Sequence, residues 1–472
     1  MLFGDDSGLI LDLVSYLIID EENENQYYPD FAFTHPLFSQ RMTIYSDSKV
    51  SRLLSSITHD QCIEFLNMWN KGRDHKDRIY ISYDSTNKNC QDAGDFGILE
   101  YGKAKDEKGT PIFNFSVAMD NSNQVPLMYE MYPGSVNDVS QLTCMIDKVI
   151  DYGYKKAGFI LYRGYFSKGN IQYMDSNGYS FVIMVKGCKP LVSELVMSKL
   201  NTFETDRDCE IRSYRTYGTT VPHRLYDDDD RERYFHIYFK PDKMAAEREK
   251  LEAKIDALSQ TIKKKQGKKS AEFGDEYQKY FHLHYAKDGT FLGADERKNV
   301  IEEELRLCGY YCIITSEKMD AAHALILYKG RDSSEKLFRA DKTFIGAKSM
   351  RTPDIENISA KIFLEFIALI IRNRIYNLLK ENTIRMDKRY NYMDVPAAIR
   401  KLEQIEMVRT NGKSYKLDHA ITKPQKIILS SFGLDKDDII KDAEKISQPL
   451  ADGESLMNTD PEDDDNGTEE IA

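Results

Sequence analysis

The stretch GFILYRGYFSKGNI, residues 158–171, contains the alternation of strand and helix on which the predicted fold rests. Residues 158–161 are apolar and predict a buried strand, whereas residues 163–167 supply a turn and, with Ser167, a helix cap. Residues at the end of a buried strand are well placed for chemistry. The residue at this corner is Tyr162, a phenol where a carboxylate would make more chemical sense.

The composition predicts a soluble globular protein that is long enough for two to four domains. The chain has 472 residues, 41% of them hydrophobic and 30% charged, and its formal net charge is −12. Residues 451–472 contain nine acidic residues and no Lys or Arg, so the remainder of the chain carries only −3. Because a nearly neutral body can still hold a basic cleft, the net charge does not exclude a nucleic-acid partner.

Cysteine usage and hydropathy predict a cytoplasmic protein. Cys308 and Cys312 are the only close pair among seven scattered cysteines, and no second pair or His cluster completes a zinc site. The apolar run 9–19 contains Asp12 and lacks a basic leader, so a signal peptide is not expected. The apolar run 366–371 is too short to span a bilayer.

The pattern of elements up to residue 186 predicts a mixed α/β sheet. Residues 1–76 read as helical, with Thr58 as a helix cap. An amphipathic helix follows Pro133, and another begins at Ser167. Strands are predicted at 78–84, 98–101, 111–119, 125–132, 158–161 and 180–185. Strands first, then alternating helices and strands, are typical of such a sheet.

Residues 187–315 interrupt this pattern with a strand at 232–240 and a helix at 244–265. The helix carries apolar residues at a 4-3-4 spacing, namely Leu251, Ile255, Leu258 and Ile262. This spacing is compatible with a helical arm or short coiled-coil seam, but an amphipathic helix that packs on its own domain is favoured because so few heptads are present. The lysine-rich run 263–269 is either a solvated helix end or a phosphate contact.

The α/β pattern resumes after residue 309. A strand is predicted at 310–315 and helices at 320–328 and 355–380. A helix that begins after Asp394 precedes a hairpin centred on Asn411-Gly412. Two interpretations of residues 395–417 are open, a small winged element and a plain packing helix.

Four residues that follow the predicted strand 310–315 are spaced to share one face of a helix. Tyr328, Arg331, Glu335 and Lys342 fall within about 60° of one another around a helix axis. Charged residues in such an arrangement usually form a solvated face. A single carboxylate among cations also suits a metal ligand beside phosphate groups.

This spacing resembles the Y-x2-R-x3-E-x6-K signature of DDE transposases encoded by bacterial insertion sequences. The family's first acid lies in a strand-end context that matches YDSTN, with Asp84 as the acid. The family's middle acid precedes an R-G-Y/F-x-S motif that matches residues 163–167, and here Tyr162 replaces that acid. The resemblance covers roughly residues 1–435, and the chain looks shortened before its first acid.

The resemblance implies an α/β fold with a ribonuclease-H-like mixed sheet, a large insertion domain made of strands and a helical arm, and helical N- and C-terminal parts. The implied domains are an N-terminal helical remnant (1–76), the first part of the catalytic core (77–186), the insertion domain (187–315), the second part of the core (316–385), a C-terminal helix–hairpin region (386–435) and an acidic disordered tail (436–472).

The resemblance also implies metal-dependent phosphoryl transfer on DNA. Two Mg²⁺ or Mn²⁺ ions held by carboxylates would activate the nucleophile and stabilise the leaving oxygen. Asp84 and Glu335 would be the metal ligands and, with position 162, the catalytic residues. Arg331, Lys342 and Arg163 would contact DNA phosphates, and Tyr328 would position the DNA near the cut.

The implied partners are transposon ends and target DNA, bound by a homodimer in a synaptic complex at the nucleoid. Tyr162 predicts that strand cleavage by this chain is slow or absent, because a neutral phenol is a poor Mg²⁺ ligand. Two alternatives remain: a catalytically inactive DNA-binding or regulatory remnant, and a coiled-coil interaction protein. No G-x-S-x-G or G-x-x-x-x-G-K motif indicates a hydrolase or a kinase.

Overall fold

The computed structural model describes most of the chain and divides it into two compact units. The described residues are 2–21, 23–73, 77–90, 97–101, 109–186, 189–229, 231–331, 349–350, 355–386, 393–409 and 414–451. The first unit comprises residues 1–157 and 331–472, and the second comprises residues 158–330. The predicted boundary between residues 186 and 187 therefore falls inside the second unit.

Helices form the beginning of the first unit, which confirms the prediction for residues 1–76. They are α1 (Ser7–Ile19), α2 (Tyr28–Thr34), α3 (Asp47–Ser56) and α4 (His59–Lys71). Thr58 caps α4 as predicted, in a capping box with Gln61 that satisfies two backbone N–H groups. Gly8 is required because a Cβ there would lie 2.7 Å from the Phe38 carbonyl oxygen.

The sheet of the first unit is mixed. Its strands are β1 (Ile79–Cys90), β2 (Ile112–Asp120), β3 (Val125–Pro133) and β12 (Ser349–Met350). The pairs β1–β2 and β2–β3 are antiparallel, and β12 pairs in parallel with the end of β1. The predicted strand at 98–101 is wrong: within the described part of this segment the ladder is reduced to a bridge between Glu100 and Ile112.

Among the described residues, five further helices and a hairpin belong to the first unit. The helices are α5 (Asp138–Asp151), α12 (Ile355–Arg385), α13 (Val395–Leu402), α14 (Lys423–Ser431) and α15 (Lys436–Ala451). The predicted hairpin is confirmed by the antiparallel pairing of β13 (Met407–Val408) with β14 (Lys416–Leu417), whereas its predicted turn at Asn411-Gly412 lies outside the described residues.

The prediction that the disordered tail begins at residue 436 is wrong, because α15 extends to Ala451 and packs against β14. The Asp435 carboxylate accepts hydrogen bonds from the backbone N–H groups of Asp437 and Asp438, which starts the helix. Ala443 lies on the buried side of α15. Acidic composition alone did not reveal this amphipathic pattern.

The second unit contains a six-stranded mixed sheet in the order β4-β5-β11-β8-β7-β6. Its strands are β4 (Ala157–Leu161), β5 (Ser180–Met184), β6 (Glu210–Ile211), β7 (Thr216–Arg224), β8 (Glu232–Phe239) and β11 (Tyr310–Thr315). β4 and β5 are parallel and the other pairs are antiparallel. The flanking helices are α6 (Lys168–Ser176), α7 (Lys189–Lys199) and α11 (Ala321–Gly330).

A second core of this unit forms around the predicted arm. It comprises α8 (Pro241–Lys265), α9 (Asp275–Tyr280), α10 (Lys298–Leu307) and the hairpin of β9 (Phe281–Tyr285) with β10 (Phe291–Glu296). Ile255, Leu258 and Ile262 pack in the same cluster as Phe291. The apolar side of α8 is therefore buried within its own unit, as the favoured amphipathic-helix interpretation predicts. The Lys265 ammonium donates to the Glu272 carbonyl oxygen (2.7 Å) at the helix end.

None of the helices that the structure describes combines the length and the apolar character needed to cross a membrane. The six described cysteines are free thiols, and Cys144 is exposed.

Candidate active site

Strand β1 positions Asp84, the predicted first acid. Side chains alternate across a strand, so Tyr83 and Asp84 point to opposite faces of the sheet. Tyr83 is buried, and its hydroxyl lies 2.9 Å from Ser116 Oγ and 3.1 Å from Glu130 Oε2. Asp84 is half-buried, and its Oδ1 accepts a hydrogen bond from the Ser85 backbone N–H (2.9 Å). The packing of Tyr83 thus fixes the strand from which the Asp84 carboxylate projects.

A buried ion pair lies farther along the same face of β1. The Lys88 ammonium is 2.7 Å from Glu365 Oε2 on α12, and both side chains are at most 1% exposed. Burial lowers the pKa of the neighbouring Lys361, and the charge of Glu365 offsets part of this effect. The pair ties β1 to α12, and it was not predicted from the sequence. A lysine inside an otherwise half-apolar strand was the signal that could have revealed it.

The corner after β4 has the local structure that the sequence predicts. Every residue of β4 is buried, and Tyr162 follows directly in an extended conformation with 38% of its surface exposed. The Tyr162 carbonyl oxygen accepts the Tyr165 backbone N–H (3.0 Å), which closes a single 3₁₀ turn. Ser167 caps α6 by accepting the Asn170 N–H. Arg163 is exposed, as a phosphate contact requires.

The predicted helical face from Tyr328 to Lys342 is interrupted. α11 ends at Gly330 and Arg331 lies in a turn, so Tyr328 and Arg331 do not share one helix. Glycine favours such an end because it is a poor helix former. Tyr328 is 2% exposed, which suits a packing role better than the predicted contact with DNA. Glu335 and Lys342 lie outside the described residues.

The predicted site residues are distributed over both units. Asp84 and Arg331 belong to the first unit, and Tyr162, Arg163 and Tyr328 belong to the second. The convergence of positions 84, 162 and 335 stays a prediction.

The donor groups fit a pair of Mg²⁺ ions only in part. Asp84 offers the hard carboxylate oxygen that Mg²⁺ prefers, whereas Tyr162 offers a neutral phenol. Of the predicted positions within the described part of the chain, Asp84 is the one that carries a carboxylate. We therefore derive no reaction step through a metal ion.

Comparison with protein families gives a match to a model described as "Transposase DDE domain", which covers residues 76–371 and thus more than half of the chain. No curated protein matches the chain.

Comparison with solved structures gives similarity to transposase complexes. The cryo-EM structure of the piggyBac transposase synaptic complex with hairpin DNA is 10% identical, with a TM-score of 0.34, and the match covers 90% of this chain and 64% of that chain. The Mos1 transposase paired-end complex with the left transposon end is 11% identical, with a TM-score of 0.16, and covers 38% and 58%. A pre-cleavage Mos1 transpososome is 9% identical, with a TM-score of 0.16, and the match covers 38% of this chain and 59% of that chain. The chain therefore spans less than two thirds of the length of these proteins.

Proposed function

Because the chain belongs to the transposase DDE domain family, we propose that it is a transposase-like protein whose chemistry is metal-dependent phosphoryl transfer on DNA. The observation that supports this proposal most directly is the family match over residues 76–371, which contains Asp84 on β1. The proposed substrates are transposon ends and target DNA. Two Mg²⁺ or Mn²⁺ ions would stabilise the attacking and leaving oxygens when bound.

We propose that the fold is ribonuclease-H-like. β1, β2 and β3 pair antiparallel within the first unit, and β4 and β5 pair in parallel within the second; a ribonuclease-H-like sheet contains strand pairs of both kinds. In this arrangement Asp84, position 162 and Glu335 would line one site.

We further propose that Tyr162 impairs strand cleavage. Replacing a carboxylate by a neutral phenol removes one of the negative charges that would balance two divalent cations, and the larger side chain occupies the space of the missing ligand. The exposed position of Tyr162 supports this inference, because its ring is not a core residue that the fold requires.

Two of the proposed DNA contacts, Arg163 and Arg331, lie within the described residues. Arg163 is exposed at the corner beside Tyr162, and Arg331 follows α11. We retain both as phosphate contacts, together with Lys342. A guanidinium can bind a phosphate through two parallel hydrogen bonds.

A nicking assay tests the proposal. The substrate is supercoiled DNA that carries the sequences flanking the coding region, incubated with Mg²⁺ or Mn²⁺. We expect little cleavage by the unaltered chain, a gain for Tyr162→Asp, and loss of that gain in the double variant Tyr162→Asp/Asp84→Asn. Efficient cleavage by the unaltered chain would show that the proposed impairment is wrong. If Tyr162→Asp also fails to cleave, the missing carboxylate at position 162 is not the cause of the impairment.

The second candidate is a DNA-binding remnant that occupies transposon ends without turnover, and the same Tyr162 favours it. This candidate predicts that the chain binds DNA with an affinity that falls as the salt concentration rises, and that Tyr162→Asp still does not cleave the DNA. Sedimentation with and without such DNA would also test the proposed homodimeric synaptic complex. The coiled-coil alternative has less support, because the seam residues of α8 are buried in their own unit.

A further inference from the structure

Three side chains with metal-binding groups meet at one place in the first unit, outside the site described above. Asp20 follows α1, His35 follows α2 and Glu403 follows α13. One ring nitrogen of His35 and one carboxylate oxygen from each acid lie within 4.8 Å of one another. His35 is half-buried, and the two acids are exposed, so the cluster is open to an ion from solvent.

The surroundings of His35 fix the tautomer that a metal ion requires. Its Nδ1 lies 3.0 Å from the carbonyl oxygen of Phe31, which can only accept a hydrogen bond. Thr34 Oγ1 also lies 3.0 Å from Nδ1, and this hydroxyl can accept as well as donate. A neutral ring that donates to the Phe31 carbonyl carries its proton on Nδ1 and leaves the lone pair of Nε2 for a metal ion. The ring also stacks on Phe31, with a centroid distance of 4.2 Å. A histidine held by a backbone carbonyl in this way is the usual outer support of a metal ligand.

Arg400 and Lys401 lie in the last turn of the helix that Glu403 caps, and Arg372 pairs with Glu21 next to Asp20, but neither cluster carboxylate pairs with them. Within the described ranges neither Asp20 nor Glu403 accepts a side-chain hydrogen bond or pairs with Lys or Arg. Both are the C-terminal caps of their helices, α1 and α13, where the helix dipole is negative. A carboxylate at this end of a helix is unfavourable unless a cation is near. The arrangement therefore calls for a positive ion.

We propose that Asp20, His35 and Glu403 form a structural site for a divalent transition-metal ion, with Zn²⁺ as the best match. Imidazole nitrogen and carboxylate oxygen are both zinc ligands, and water would complete a tetrahedral site with these three groups. An ion at the centre of a triangle with 4.8 Å sides would lie about 2.8 Å from each ligand, so closure by about 0.7 Å reaches the zinc distances of about 2.0–2.2 Å. Side-chain rotations of two exposed acids supply this movement.

The site would connect segments that are far apart in the sequence. Asp20 and His35 belong to the N-terminal helices, and Glu403 belongs to the C-terminal helix–hairpin region. A bound ion would hold α13 against α1 and α2 and stabilise the first unit in proportion to the ion concentration above the dissociation constant. The imidazole selects Zn²⁺ over Mg²⁺ and Ca²⁺, which prefer oxygen ligands.

Zinc binding by the full chain tests the proposal. The chain is freed of metal with a chelator, and equilibrium dialysis against ZnCl₂ counts the bound ions. Thermal unfolding is followed through Trp69, the single tryptophan, which lies on α4 of the same unit. We expect Zn²⁺, but not Mg²⁺ at the same concentration, to raise the unfolding temperature. We also expect His35→Gln and Asp20→Asn/Glu403→Gln to bind one zinc ion fewer and to lose this rise.

The controls separate this site from others and from misfolding. His59→Gln removes an exposed histidine outside the cluster, and Asp84→Asn removes the acid of the candidate active site. Both are expected to keep the zinc-dependent rise. Far-UV circular dichroism verifies that the cluster variants fold without metal. The visible d–d absorption of bound Co²⁺ reports the coordination geometry of the site and is expected to disappear in His35→Gln. Cluster variants that fold and retain the zinc stoichiometry and the temperature rise of the parent would overturn the proposal.

Discussion

A fall in pH is predicted to destabilise the second unit through one buried histidine, His236 of β8. Its Nδ1 lies 2.9 Å from Thr220 Oγ1, and its Nε2 lies 2.9 Å from Thr315 Oγ1. The Thr315 hydroxyl donates to the Glu317 carbonyl oxygen (2.7 Å), so it accepts from the Nε2–H group, and the Thr220 hydroxyl donates to Nδ1. The ring is therefore neutral with both nitrogens satisfied, and an additional proton would disrupt the bond to Thr220.

The size of the effect follows from the pKa of His236. Burial lowers this pKa from 6.5 to about 4, because the interior cannot solvate the imidazolium, and the charge of Asp320 offsets only part of this effect. The unfolded chain binds the proton near pH 6.5 and the folded chain only near pH 4, so stability is complete above pH 6.5 and is lost as the pH falls to 4. At about 1.4 kcal/mol for each pH unit, the loss amounts to about 3 kcal/mol.

Hydrogen exchange of β8, followed by mass spectrometry, measures this loss in the full chain. The parent is compared with His236→Gln at the same pH, so that the intrinsic exchange rates cancel. Gln does not titrate and keeps only part of the hydrogen bonding, so the variant exchanges faster than the parent at pH 7. Between pH 7 and pH 4.5 the ratio of variant to parent rates is expected to fall by about 50-fold.

An internal control and a refuting outcome complete this experiment. Peptides from β2 in the first unit serve as the internal control, and their rates are expected to be the same in both proteins. A rate ratio for β8 that changes by less than about threefold over this pH range would refute the conclusion that His236 is held neutral by burial.

Three further tests concern the stability of the fold. Lys88→Met is expected to cost about 3–5 kcal/mol, because it removes the ammonium group next to the buried Glu365 carboxylate, whereas Lys88→Met/Glu365→Leu is expected to regain most of this loss. Urea unfolding followed by Trp69 fluorescence measures both, and equal losses would contradict the ion-pair argument. Leu258→Ala is expected to cost about 2–5 kcal/mol, seen as faster hydrogen exchange of α8, with an unchanged sedimentation coefficient. Dissociation of an oligomer would instead favour the coiled-coil seam. Thr58→Ala is expected to cost about 1 kcal/mol through loss of the capping box, and a melting temperature equal to that of the parent would disprove this role of the cap.

Elements whose signal is local could be predicted from the sequence. The run 158–171 specifies β4 through consecutive apolar residues, and Ser167 specifies the start of α6 through its side-chain bond to the Asn170 N–H. Thr58 specifies the start of α4 in the same way. In each case the residues that decide the structure lie within one turn of one another, so a short window contains the physical cause.

Strand pairing in the second unit could not be predicted in this way. β11 lies between β5 and β8, and its Ile313 pairs with Met184 on one side and His236 on the other. The pattern of elements changes at residue 187, and the family resemblance implies an insertion domain over residues 187–315; that assignment stays a prediction. Strands pair through backbone hydrogen bonds, which a change in the order of elements along the chain does not prevent. β7 and β8 therefore belong to the same sheet as β4 and β5.

Charged residues show the same limit most clearly, because their partners decide their role. Lys88 and Glu365 are 277 positions apart, and a lysine inside the largely buried strand β1 indicates a buried charge without identifying its partner. Only the fold brings them within 2.7 Å in the interior, where an ion pair is required because either charge alone would be costly to bury. Asp20 and Glu403 are each unfavourable at the C-terminal end of a helix, and only their proximity to His35 makes them candidate ligands of one metal ion. A charge that is unfavourable in its local element therefore marks a position where a distant partner or an ion should be sought.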